Sequence, residues 1–134
     1  MSHERPVHVK ASATPKFKNE ITCGPHTAWA DEPVDAGGTD QGLMPFELLA
    51  ASLGACTSMT LRMYADRKGY ALEGIDVGIE QRVEGTTRTL VRTITLSGTI
   101  DADARQKLLD IANKCPVHRA LEGSKLVIET KLAD

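Results

Sequence analysis

Apolar and polar residues alternate between positions 74 and 84. Ile75, Val77, Ile79 and Val83 are separated by Asp76, Glu80, Arg82 and Glu84. A period of two predicts a strand with one buried face. Residues 85–87 (GTT) then turn the chain, and TLVRTITLSGTI (89–100) runs back as the partner, giving a hairpin. Before this hairpin the period lengthens. From Phe46 to Gly69, Leu49, Leu53, Cys56, Thr60 and Met63 share one helical stripe, widened by Leu48, Ala51, Ala55 and Met59. Apolarity around so much of the circumference predicts a helix buried on most sides. Pro45 suits its first turn, and Gly69 suits its C-terminal cap after Arg67 and Lys68. Arg62 interrupts the apolar surface and is expected to reach solvent or an acid.

A second helix is predicted from Asp101, a good N-cap, with Leu108, Ile111 or Ala112, and Cys115 facing inward. Pro116 ends it, because proline disfavours helical geometry in the preceding residue. HRALEGSK (118–125) reads as a connection and LVIETKL (126–132) as a last strand. At the other end of the chain, 6–12, 16–22 and 26–32 read as short strands, with a turn at CGP (23–25). A Gly-, Pro- and Asp-rich loop occupies 33–45 and is long enough to carry function.

The resulting order is β-β-β-α-β-β-α-β, an α+β class. The length of 134 residues predicts one domain over 1–134. Three short polar strands supply little apolar surface for so apolar a helix, so a homodimer with a shared core is expected. Sixteen basic and eighteen acidic residues leave a net charge of −2, which gives no electrostatic case for nucleic acid or an anionic membrane. The start of the chain is polar and unlike a signal peptide, and the longest helix is too interrupted to span a bilayer, so a cytoplasmic location is expected.

The three cysteines, at 23, 56 and 115, are too widely spaced for a secreted disulfide framework. Cys56 and Cys115 both lie on inner helical stripes. Each is either a small buried hydrophobe or a reactive thiol. Of the two, Cys56 is the better primary nucleophile. Cys115, placed at the end of a helix where the dipole disfavours an anion, is the better neutral resolving thiol. Glu47 is a helix-start acid that could instead orient a cation at the Cys56 sulfur. Cys23-x-x-His26 and Cys115-x-x-His118 could together make a zinc site, but the pairs are separated by most of the chain, and neither a metal nor another cofactor is expected.

The segments MPFELLAASLGACTSMTLRMYADRKG and CPVHRALEG together resemble the OsmC/Ohr superfamily, most closely its OsmC-like branch. The resemblance implies an intertwined homodimer, with two long central helices wrapped by sheets. It implies a cysteine-based thiol peroxidase that reduces organic hydroperoxides in oxidative-stress defence. Cys56 falls on the family's peroxidatic cysteine and Cys115 on its resolving cysteine, so a Cys56 sulfenic acid and then a Cys56–Cys115 disulfide are implied. An external dithiol would reduce the disulfide, and the better-studied branch suggests a lipoyl protein. The family's glutamate commonly stands where this chain has Phe46. Glu47 is one residue further, about 100° around a helix. The family's activating arginine comes from the leading strands, where this chain offers Lys16 and Lys18; Arg62 and Arg119 are further cations. An apolar substrate pocket is expected from Phe46, Leu53, Met59 and Met63. The alternative is a non-catalytic protein on the same dimeric scaffold, binding an apolar small molecule.

Overall fold

The computed structural model describes residues 4–123 and 126–133. The fold divides into two compact units, Met1–Leu49 and Ala50–Asp134. In the first, β1 (His8–Ala11), β2 (Asn19–Cys23) and β3 (His26–Ala30) form an antiparallel sheet in sequence order. The β2–β3 hairpin pairs Cys23 with His26. Its two-residue connection opens on Gly24 at φ +56°, where a type II′ turn places glycine.

The loop after β3 is organised rather than open. Buried Asp31 accepts hydrogen bonds from the Thr39 hydroxyl (2.6 Å) and from the amides of Glu32 (2.8 Å), Gln41 (3.1 Å) and Thr39 (3.3 Å). Leu43 adds a backbone bridge to Ala30. The Thr39 hydroxyl does most to hold the Asp31 carboxyl below its ordinary value; burial opposes this, and the three amides assist.

Helix α1 runs over Pro45–Lys68, with proline at its first position as expected. At its end Gly69 takes φ +73°, the Gly69 amide donates to Asp66 O and the Tyr70 amide donates to Ala65 O. That pair of bonds is a Schellman cap. In the second unit β4 (Ala71–Glu84) and β5 (Thr87–Thr99) form a long antiparallel ribbon. Helix α2 (Ala102–Ala112) follows, its first turn capped by the Asp101 carboxylate, which accepts from the Ala104 amide at 2.8 Å. The core is aliphatic: Leu61 and Ala65 of α1, Leu72 of β4, and Leu108 and Ala112 of α2, flanked by Ile75, Ile94 and Leu96.

Three expectations change here. First, α1 is not buried on most sides of this chain. Its buried line is Leu53, Thr57, Leu61 and Ala65, a four-residue repeat, whereas Met59 and Met63 are each 66% exposed. The ribbon and α2 cover only one face. Second, residues after Pro116 are not a simple connection: Pro116–Glu122 form a helix, α3. Proline stops the preceding helix but is equally suited to start the next, since its missing N–H is one that a first turn leaves unpaired. Third, the described residues from Leu126 to Leu132 carry no strand pairing, and Val127, Ile128 and Leu132 are more than four-fifths exposed. Their apolar pattern suits a strand, but within this chain they meet no sheet edge.

No helix among the described residues is long and apolar enough to cross a membrane.

Candidate active site

The two inner cysteines meet. Cys56 lies mid-way along α1, half-buried, and its side chain is close enough to the fully buried sulfur of Cys115 to influence it. Both are free thiols. Cys56 Sγ also lies 3.9 Å from the Thr60 hydroxyl, one helical turn on.

Cys115 does not sit where a helix end was expected. Helix α2 stops at Ala112, and Cys115 has extended geometry (φ −63°, ψ 140°), as a residue before proline should. It is the N-cap of α3, and its sulfur accepts the His118 amide at 3.3 Å. Cys115 thus starts α3, while its own amide still donates to the last carbonyl of α2, Ala112 O, at 3.4 Å. Burial pushes this thiol up, and it is the largest single influence. The amide of His118, the side chains of Cys56 and Thr57, and the amide of Val117 together outweigh it and hold Cys115 below the ordinary thiol value.

The cation at this site is Arg92, which sequence reasoning did not single out. Its Nη1 donates to Thr57 Oγ1 at 3.0 Å, and its Nη2 donates to Asn113 Oδ1 at 3.0 Å and to His118 Nδ1 at 2.9 Å. A guanidinium only donates, so Nδ1 of His118 must be the acceptor and Nε2 must carry the proton. That proton points at Glu122 Oε1, 2.9 Å away. Thr57 is fully buried; its hydroxyl lies 2.7 Å from Leu53 O and 4.0 Å from Cys115 Sγ, so its one proton serves either acceptor. A signal for Arg92 existed in the alternation of β5. Leu90, Arg92, Ile94 and Leu96 are in phase on its more buried face, so a charged residue occupies an inward position.

Glu47 belongs to the first unit, and its carboxylate accepts the Met44 amide at 2.8 Å, the return half of a capping box. Lys18 donates to Gln41 (2.8 Å) and lies over the Trp29 ring, and Lys16 lies over the Phe17 ring, all within the first unit. Arg62 binds the carbonyls of Leu72 (2.7 Å) and Glu73 (3.0 Å), with Asp66 at 3.9 Å. Arg119 is exposed on α3. Cys23 Sγ lies 4.0 Å from Arg5 O on β2. Among the described residues no group of three or more His, Cys, Asp or Glu side chains is placed so that it could hold a metal ion.

A cavity of about 520 Å³ opens against the site, lined on one side by five aliphatic residues, among them Leu53 and Leu121, and on the other by six polar or charged ones, among them Arg88, Arg92, His118 and Glu122. Of the expected pocket residues, Leu53 is here. Met59 and Met63 line a separate, shallower hollow with Ile75, and Phe46, in the first unit, is half exposed.

Residues 38–131 match the family model described as OsmC-like protein. The chain belongs to the OsmC-like family. No curated protein matches it. Among solved structures, this OsmC-like chain is similar to an OsmC-like protein from Mycoplasma pneumoniae, with a TM-score of 0.78, 15% identity, and 92% and 91% of the two chains covered. It is also similar to an organic hydroperoxide resistance protein OsmC from Legionella pneumophila (TM-score 0.64, 20% identity, 91% and 93% covered). A third is the organic hydroperoxide resistance protein OhrB of Bacillus subtilis (TM-score 0.63, 20% identity, 91% and 93% covered). At these identities the similarity shows the OsmC-like α+β fold.

Proposed function

We propose that this OsmC-like protein is a thiol-dependent peroxidase that reduces organic hydroperoxides in defence against oxidative stress. The observation that carries the reading is the neighbouring pair of free thiols, Cys56 and Cys115, beside the Arg92–His118 cluster. Two sulfurs already in reach of each other can pass from sulfenic acid to disulfide with little rearrangement. The Cys56 sulfur attacks the distal oxygen of the hydroperoxide, the O–O bond breaks, and the alcohol leaves. Cys115 then attacks the sulfenic sulfur, expelling hydroxide, and a disulfide forms. An external dithiol, with a lipoyl protein as the candidate, restores both thiols. The cavity is mixed, and its aliphatic side, from Leu53, Leu90, Ile94, Leu109 and Leu121, suits the organic part of such a substrate, while Arg92 and His118 lie on its polar side. The names of the Legionella and Bacillus proteins point the same way.

The working form is a homodimer in the cytoplasm. The exposed methionines of α1 and the unpaired apolar stretch 126–132 support a second copy covering them.

The test is direct. Cumene hydroperoxide added to reduced protein should consume two thiols per chain and give a Cys56–Cys115 disulfide by mass spectrometry. Cys56→Ser should abolish turnover, and Cys115→Ser should let Cys56 overoxidise. One observation favours a second reading: neither cysteine lines the cavity, which a small-molecule binding protein would also present. Thiols that survive peroxide unchanged would establish that alternative.

A further inference from the structure

Arg88, Leu90, Arg92 and Ile94 stand in phase on the more buried face of β5, and all four line the cavity of about 520 Å³. Two guanidinium groups thus alternate with two aliphatic side chains along one wall. Leu53 of α1, Leu109 of α2 and Leu121 of α3 complete the aliphatic lining. The apolar surface continues past Ile94 and Leu109 into a smaller hollow of about 190 Å³, where Leu61, Leu96 and Leu108 meet Arg105.

The charge of Arg92 is not matched by its partners. It donates to a hydroxyl, a side-chain amide and an imidazole nitrogen, all neutral. A guanidinium has five N–H donors. With those three in use, one on Nη1 and the one on Nε stay uncommitted among the described residues. Arg88 donates to another neutral group, Gln81 Oε1, at 2.9 Å. The acid in the lining is Glu122, which is turned to His118 Nε2 at 2.9 Å and is 76% exposed. With His118 neutral, two arginines against one glutamate leave the lining with a single net positive charge.

We infer that this cavity binds an aliphatic monocarboxylate, its acid group at the Arg92 guanidinium and its hydrocarbon chain along Leu90, Ile94, Leu109 and Leu121. The carboxylate takes the donors that Thr57, Asn113 and His118 leave over, so their bonds to Arg92 persist. A charge-assisted bond from a guanidinium to a carboxylate is stronger than one to a neutral acceptor. A neutral chain of the same length would instead cover a charged group without pairing it, which is costly. A dianion would exceed the one net charge available. The volume lies within the range of about 300–1,000 Å³ usual for small-molecule sites. Neither cysteine lines the cavity, so the site is a binding site whether or not the thiols react.

The test titrates reduced full-length protein with octanoate, octanol and acetate, by calorimetry and by NMR shifts, with no peroxide present. Octanoate should bind one site per chain at least tenfold more tightly than octanol, which lacks the charge, or acetate, which lacks the chain. The shifts should gather at the Arg92 Nε–H and the Leu109 and Leu121 methyls. Arg88→Gln should weaken octanoate several-fold and leave octanol unchanged. Leu109 is half exposed, so a polar side chain there spares the core. Leu109→Asp should lose octanoate far more than the isosteric Leu109→Asn, because only the acid repels the ligand. Octanol binding as tightly as octanoate, shifts confined to the Met59–Met63 hollow, or no octanoate binding at millimolar concentration would each overturn the inference. Thiol oxidation is measured separately with cumene hydroperoxide, so the binding site and the peroxidase reading fail independently.

Discussion

Replacing Arg92 with methionine keeps a long apolar stem and removes the guanidinium. Three hydrogen bonds go at once, to Thr57 (3.0 Å), Asn113 (3.0 Å) and His118 (2.9 Å). A hydrogen bond to a charged group contributes about 1.5–3 kcal/mol net. The three do not count equally. Thr57 is fully buried and its bond counts in full, His118 is partly exposed and counts in part, and Asn113 is exposed and can be solvated instead. The loss should therefore be about 2–4 kcal/mol, rather than three full bonds. In urea, with a slope of about 1–3 kcal/mol per molar, that moves the unfolding midpoint of the reduced protein down by about 1–2 M. Arg92→Lys should recover only part of it, because an ammonium lacks the planar fork that reaches separate partners. Peroxide consumption should fall at least tenfold in Arg92→Met, since both donors to Cys115 lose their brace. A midpoint within about 0.3 M of the parent with undiminished thiol oxidation would refute this account of Arg92.

Thr57→Val is nearly isosteric but leaves an Arg92 N–H without its buried acceptor, and should cost about 1–3 kcal/mol in urea unfolding. It should also raise the pH at which Cys115 ionises, read from thiolate absorbance. Asp31 has its carboxyl held below the ordinary value, so its contribution to stability is fully present above the unfolded-state value of about 3.9 and is lost as pH falls through the depressed folded value. Fluorescence of Trp29, the chain's one tryptophan, should report that acid transition, and Asp31→Asn should abolish its pH dependence. Met59→Lys with Met63→Lys should convert the proposed dimer to monomer by light scattering; a parent already monomeric at micromolar concentration would dispose of the shared-core argument.

What the sequence disclosed, and what it hid, follows from how local each signal is. Pro45, Gly69 and Asp101 mark helix ends through their own backbone chemistry, and all three mark them in the structure. The alternation of 74–84 depends on one face meeting a helix layer, and the ribbon forms as expected, though Val83 at its tip is exposed. Helix α3 spans only seven residues, too few for a helical period to separate from a turn. The Cys56–Cys115 meeting was legible only as a possibility, since nothing local sets a distance across 59 positions. Arg92 was missed because a basic residue in a strand is usually solvated, and only its phase with Leu90 and Ile94 says otherwise. Glu47 takes the helix-start role that its position suggested: its carboxylate is engaged by the first turn of its own helix.

On the proposed peroxidase reading, the unequal exposure of the two sulfurs would set the direction of recycling. Once the disulfide exists, a visiting dithiol can approach the half-buried Cys56 but not the sealed Cys115. Attack there expels Cys115 as the departing group. A sulfur stabilised as an anion departs faster. The mixed disulfide with the reductant should therefore form on α1, and the donors around Cys115 that prepare it to close the bond also ease its release when the bond is cut.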